Sequence, residues 1–248
     1  MASRNSAILA NDKVIFHGQP VIVVVAESAT IAQDAIEKVF IDYEPLESVI
    51  DPVKAMSDQS PTIWPDGLPT EISDLSGAHS AVKAKGESES KSMNNVYASQ
   101  HFERGDIRKG FIEADIVVEK NYKLNSVHQA YLEPHAVVVE PDIFRGSLTF
   151  YTSTQGQFLV RDEVSRILSI PKHKIRVVPM TFGGGFGAKY GILEPLAGAV
   201  ALTVKRPIRF VLSRSEDLQT TTPSPNVHIF LKTSAKKDGF INDLEARI

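Results

Sequence analysis

Phe182-Gly183-Gly184-Gly185-Phe186-Gly187-Ala188-Lys189 is the least ordinary stretch of this chain. A β-branched run at 175–179 precedes it and reads as a strand. An apolar stretch at 192–204 follows and reads as a helix buried on several sides. Glycines lose more conformational freedom on folding than other residues. Such a loop is therefore expected where the backbone takes positive φ or approaches a ligand closely. Bare N–H groups near a helix start also donate well to anionic oxygens. From the loop alone three readings stay open: a tight turn, a dinucleotide loop and a cofactor contact. Gly183, Gly185 and Ala188 fit G-x-G-x-x-A, and Arg214 follows the next strand as in an NADP fingerprint. Against that, little chain follows Ser213 to build a doubly wound sheet, and no acidic residue ends the second strand.

Working outward, 157–168 has helical spacing, with Val160, Val164, Ile167 and Leu168 on one face and Ser169-Ile170-Pro171 as its stop. Strands are predicted at 115–124, 135–140, 148–153 and 207–212, and a hairpin at 227–233 and 240–248. A short helix at 107–114 opens through Asp106 as N-cap. Nearer the start, 21–25 and 40–43 read as strands around a helix. Thr30 and Gln33 suggest its capping box, and Ile31, Ala32, Ala35, Ile36 and Val39 form its apolar face. Between these blocks lie Pro52, Pro61, Pro65 and Pro69, then a Lys/Glu/Ser/Asn-rich stretch at 83–95, the composition of a solvated connector. The class expected is α+β with mixed sheets, divided at 1–52, 53–95 and 96–248.

Composition narrows the function. The chain has 248 residues, 42% hydrophobic and 23% charged, as globular domains do. A net charge of −3 argues against a nucleic-acid binder, which needs a dense basic face. With no cysteine, the chain cannot supply a disulfide, a thiol nucleophile or a cysteine-ligated iron–sulfur cluster. No apolar run approaches the roughly 20 residues of a membrane span. The first ten residues lack the order of a signal peptide, so a cytoplasmic location is expected.

Several ordered motifs then share one resemblance. They include Tyr151-Thr-Ser-Thr-Gln155, Pro171, Ile175-Arg-Val-Val and the glycine loop through Lys189. Upstream stand Gly105-Asp106, Phe111, Ala114-Asp115 and Tyr131-Leu-Glu-Pro134-His135; downstream stand Arg206-Pro207-Ile-Arg209 and Ser215-Glu-Asp217. Together they resemble the molybdopterin-binding large subunit of the xanthine dehydrogenase and aldehyde oxidase family. Leu9, Asp12-Lys-Val14, Gly18-Gln-Pro20 and Asp42-Tyr-Glu-Pro45 resemble the end of that family's α/β hammerhead domain. The fold implied is the C-terminal part of a hammerhead domain at 1–52, a connector, and the first molybdenum-cofactor-binding domain at 96–248.

The resemblance implies a molybdenum-dependent oxidoreductase that hydroxylates an aldehyde or N-heteroaromatic substrate with oxygen from water. It implies that Gln155 hydrogen-bonds an oxygen on molybdenum from the second shell. The backbone of Gly184, Gly185, Phe186 and Gly187 would lie against the metal's oxo group and the pterin. The cofactor the resemblance implies is molybdenum–molybdopterin, with a cytosine dinucleotide form as a variant. Iron–sulfur clusters and FAD are expected on partner chains. The base glutamate is expected in a C-terminal region outside this sequence, so no catalytic residue and no direct metal ligand is assigned here. The chain resembles a middle segment of a longer subunit, which is not expected to hold the cofactor tightly alone. Tyr190 stands where purine-oxidising members carry glutamate, which leans away from purines.

Other residues have plainer readings. His128, Glu133 and His135 lack metal-ligand spacing, and Glu133-Pro134 looks structural. Glu194 suits the start of a helix through the dipole. Phe158 and Phe186 are candidates to border a substrate space. The alternatives are a non-catalytic scaffold or remnant of the same fold, and an NADP-binding protein.

Overall fold

The computed structural model describes residues 8–64, 95, 96 and 99–248. They form two compact units that interleave along the chain. One contains 8–39 and 127–224; the other contains the described residues of 40–126 and 225–248.

The first unit is a two-layer α+β structure. Strands β2 (Ala136–Asp142), β3 (Ser147–Thr152), β4 (Ile175–Pro179) and β5 (Ile208–Val211) form a sheet in the order β4-β3-β2-β5. Strands β2 and β3 pair antiparallel, β2 and β5 antiparallel, and β3 and β4 parallel, so the sheet is mixed as expected. Alternation along each strand sends Val137 and Val139 of β2, and Leu148 and Phe150 of β3, to one face. Helices α4 (Gln157–Leu168) and α5 (Glu194–Val204) cover that face through Val160, Val164, Ala197 and Ala201. Burying these apolar side chains is the main stabilising term of the unit. Helix α4 ends at Ser169, which takes a left-handed conformation, and Ser165 ties off the turn through the Ile170 carbonyl.

The second unit holds a three-stranded antiparallel sheet, β1 (Ile116–Leu124), β6 (Val227–Ala235) and β7 (Ile241–Arg247), in the order β1-β6-β7. The hairpin β6–β7 closes where Lys236 N–H donates to Phe240 and Gly239 N–H to Lys236. Helix α3 (Ile107–Ile112) packs on β7 and is capped by Asp106, as predicted.

The segment 8–45 departs from expectation. Helix α1 (Ala29–Ile36) forms, but Ser28 caps it through Ile31 N–H, not Thr30. Its predicted apolar face stays open, with Ile31 55% exposed. The runs at 21–25 and 40–43 are not strands: a strand needs a ladder of paired backbone groups, and no described residue supplies one. Helix α2 (Pro52–Ala55), capped by Asp51, and the polar helix α6 (Arg214–Thr220) were not foreseen. Of the connector predicted at 53–95, residues 65–94 lie outside the described residues. Its described end, Asn95, bonds Ala55, Pro61 and Ile63. Among the described residues no helix is long and apolar enough to cross a membrane.

Candidate cofactor-binding site

The site forms where the chain leaves β3 and where it leaves β4, two parallel neighbours whose ends lie on the same side of the sheet. Alternation along β3 turns Thr152 inward, and its hydroxyl donates to the buried Glu194 at 2.6 Å. Glu194 also accepts Leu193 N–H, which fixes the first turn of α5. Beyond Thr152 the chain runs alongside the far end of the glycine loop. Gln155 N–H and the Thr154 hydroxyl both donate to the Lys189 carbonyl, at 3.0 and 3.1 Å.

The Gln155 side chain closes this contact. Its Oε1 accepts Gly187 N–H at 3.0 Å and Lys189 N–H at 3.3 Å. Two backbone donors on one oxygen fix which way the amide points, and the NH2 group is left for another acceptor. Gly185 lies directly against this amide. A Cβ there would come within 2.4 Å of Gln155 Oε1 and 2.6 Å of its Cδ, so only glycine permits the approach. Gly184, Phe186 and Gly187 take φ of 98°, 49° and 89°, the left-handed region that the glycine-rich sequence makes accessible. The Phe186 ring lies over Gly184 and is 74% exposed.

These bonds decide which loop donors remain. Gly187 N–H is committed to Gln155, and Ala188 N–H to the Gly185 carbonyl. The N–H groups of Gly184, Gly185 and Phe186 donate to no acceptor among the described residues. Three unused backbone donors beside one unused amide NH2 make a neutral set suited to oxo or phosphate oxygens. The donor chemistry therefore fits an oxyanion-bearing ligand such as a molybdenum cofactor.

Below the loop lies a polar cluster that the sequence reading left outside the site. Glu133 Oε2 accepts Gly183 N–H at 2.7 Å and the Lys189 ammonium at 2.9 Å, while Oε1 accepts the Ser153 hydroxyl. Burial pushes the Glu133 carboxyl up, but the bonds from Lys189, Gly183 and Ser153 outweigh it and hold it below its ordinary value. Behind it, the fully buried Asp217 accepts His135 N–H at 3.0 Å and pairs with His135 Nδ1 at 2.8 Å. Arg214 bonds Asp217 and the carbonyls of Tyr131 and Leu132. Burial pushes the Tyr131 phenol up to about 12, and it holds His135 below its ordinary value although Asp217 opposes the shift.

His128 bonds Thr221 and lies 3.9 Å from Asp217, which pairs with His135, whereas Glu133 pairs with Lys189. Among the described residues no group of three or more His, Asp or Glu could hold a metal ion. Phe158 is exposed beneath Arg161. Tyr190 places its ring against Gly156, next to Gln155. The dinucleotide reading fails on topology. Strands β4 and β5 lie at opposite edges of the sheet, not side by side, and Arg214 is taken up by backbone carbonyls and Asp217.

The molybdopterin cofactor-binding domain family matches residues 88–248. The aldehyde oxidase and xanthine dehydrogenase a/b hammerhead domain family matches 1–47. The chain is 34% identical over 244 residues to a carbon monoxide dehydrogenase large chain of Afipia carboxidovorans, covering 97% of this chain and 29% of that one. It is 28% identical over 246 residues to the nicotinate dehydrogenase large molybdopterin subunit of Eubacterium barkeri, covering 99% and 51%. Among solved structures, a Cu,Mo-CO dehydrogenase in its carbon-monoxide-reduced state superposes with a TM-score of 0.77 at 31% identity, over 97% of this chain and 29% of that one. The aldehyde oxidoreductase of Desulfovibrio gigas shares the fold, with a TM-score of 0.80 at 22% identity, over 96% and 24%.

The fold and the loop thus define a molybdopterin-binding domain. The chain belongs to the molybdopterin cofactor-binding domain family, and it spans 29% to 51% of the length of the curated relatives just named.

Proposed function

We propose that this chain forms part of the cofactor-holding wall of a molybdenum hydroxylase. It would hold molybdenum–molybdopterin, with the cytosine dinucleotide form as a variant. The observation that carries this reading is the Gln155 amide, locked by Gly187 and Lys189 N–H so that its NH2 faces away from the loop it holds. Gln155 and the N–H groups of Gly184, Gly185 and Phe186 bind the cofactor's oxygens, and Gly187 positions Gln155. All these donors are uncharged, so they orient an oxygen without adding charge to the centre. When bound, the cofactor supplies two-electron oxidation with oxygen taken from water, and the protein supplies orientation.

The substrate class is an aldehyde or an N-heteroaromatic compound, in keeping with Tyr190 beside Gln155 and with the nicotinate dehydrogenase relative. The remainder of the large subunit, an iron–sulfur subunit and a flavin subunit complete the enzyme, in the cytoplasm. The absence of cysteine requires that the clusters be held elsewhere.

Purification of the chain from its native host, with identification of co-purifying proteins and metals, tests this. The expected result is stoichiometric molybdenum, and oxygen from labelled water entering a product made from an aldehyde or an N-heteroaromatic compound. Carbon monoxide as the sole substrate would overturn the substrate class, and a complex without molybdenum would overturn the whole reading in favour of a scaffold.

A further inference from the structure

Lys189 ends the glycine loop, yet its side chain is fully buried. A buried ammonium must find partners for its three N–H donors or be strongly disfavoured. Here it donates to the Glu133 carbonyl at 2.8 Å and Glu133 Oε2 at 2.9 Å, and it lies 4.7 Å from the centre of the Tyr131 ring. That set uses its bonding capacity inside the protein, on the side away from solvent.

We infer that Lys189 and Glu133 are a positioning pair that presets the glycine loop, and that Lys189 does not itself neutralise the bound ligand. Both ends of the loop depend on the pair. At the near end, Glu133 Oε2 accepts Gly183 N–H, and Glu133 N–H reaches back to the Gly183 carbonyl. At the far end, the backbone of Lys189 meets Gln155 through N–H and carbonyl together. The ammonium–carboxylate contact joins the two ends across the base of the loop. Glu133 is steadied in turn by Ser153 and by Arg214, which holds the carbonyls of the two residues before it. The spacing of Gln155 from the free N–H groups of the loop is thereby fixed before any ligand arrives. The identity of that ligand rests on the cofactor reading above, whereas the coupling of the pair to the loop does not.

The test compares Lys189→Met, Glu133→Gln and the double variant, by amide hydrogen exchange on the ligand-free chain. Glu133→Gln leaves the buried Lys189 ammonium uncompensated, and Lys189→Met leaves the part-exposed Glu133 without its cation, so each change alone breaks the link between the loop ends. In Lys189→Met the N–H groups of Gly183, Gly187 and Ala188 should exchange about tenfold faster or more, with those of Val160 and Val164 unchanged. The double variant should exchange within about threefold of the faster single variant, because either change alone already breaks the link between the loop ends. A merely structural role would instead raise loop and core exchange together, and the double variant would add the two losses. Unchanged loop exchange in a folded Lys189→Met, or additive losses, overturns the inference. If Lys189→Met does not fold, Glu133→Gln carries the same comparison, and an unchanged loop there overturns it. In the native complex, molybdenum lost from Glu133→Gln and from Lys189→Met alike supports positioning. Loss from Lys189→Met with retention by Glu133→Gln would assign Lys189 to the ligand.

Discussion

Replacing Gly185 by alanine strikes the closest contact of the candidate site. The added Cβ would sit 2.4 Å from Gln155 Oε1, 2.6 Å from Cδ and 3.0 Å from Cγ, distances at which the side chain must move. Gly185 is not among the positive-φ residues, so alanine meets no strain of that kind there, and the whole cost comes from Gln155. Displacing the amide breaks its bonds from Gly187 and Lys189. At about 1 kcal/mol each, that is a loss of about 2 kcal/mol, offset by about 0.4–1 kcal/mol from the stiffer unfolded chain. The expected net destabilisation is about 1–2 kcal/mol. Gln155→Ala should remove the obstacle, so that Gly185→Ala costs almost nothing in that background and the cycle shows a coupling of about 1–2 kcal/mol. Gly187→Ala is the control. Its φ of 89° strains any side chain, but no atom lies within 4 Å of the added Cβ, so the Gln155 amide signals should stay in place. The assay is urea denaturation followed through amide resonances of the sheet and the loop. A Gly185→Ala cost that is the same with and without Gln155 would refute the contact.

Three further perturbations probe the support beneath the loop. Asp217→Ala leaves His135 and Arg214 without their buried anion and should cost about 3–5 kcal/mol in denaturant unfolding, whereas a loss below about 1 kcal/mol would make the cluster incidental. Ser213→Ala breaks the capping box of α6, formed with Glu216, and should cost about 1 kcal/mol, read from the same curves. His135 is held below its ordinary value of 6.5, so the unfolded chain binds the extra proton first. Its contribution is complete above 6.5 and is lost as pH falls from there towards the lowered folded value. His135→Asn should flatten that part of the stability–pH curve, and an unchanged slope would count against it. Glu133, also lowered, acts in the same direction further down, losing its contribution as pH falls below its ordinary 4.5 through its folded value.

Where local pattern and tertiary packing agree, the elements were legible. The stripe of Val160 and Val164 gave α4 with the bounds observed, because those positions are the ones buried against the sheet. Helix α5 was readable from its nearly continuous apolarity, since it is buried along most of its length. The valines at 21–25 misled because β-branched content reports a preference for extended backbone, not the presence of a partner strand. Helix α6 escaped because it has no apolar stripe, although Ser213 and Glu216 carried the capping-box spacing that signals its start. The loop and Gln155 were picked out by motif. The structure adds why they meet, since Gln155 and Lys189 follow neighbouring parallel strands. Glu133 was set aside as structural. Its link to Lys189 spans 56 residues, and His135 to Asp217 spans 82, so no local spacing could reveal either pair.

The most direct test of the cofactor assignment is the molybdenum content of the native complex, measured side by side for the original chain and Gln155→Ala. The account predicts stoichiometric molybdenum in the first and retention weakened by about tenfold or more in the second, as for other groups that orient a metal's ligands. Equal molybdenum in both complexes, or none in the first, would contradict it.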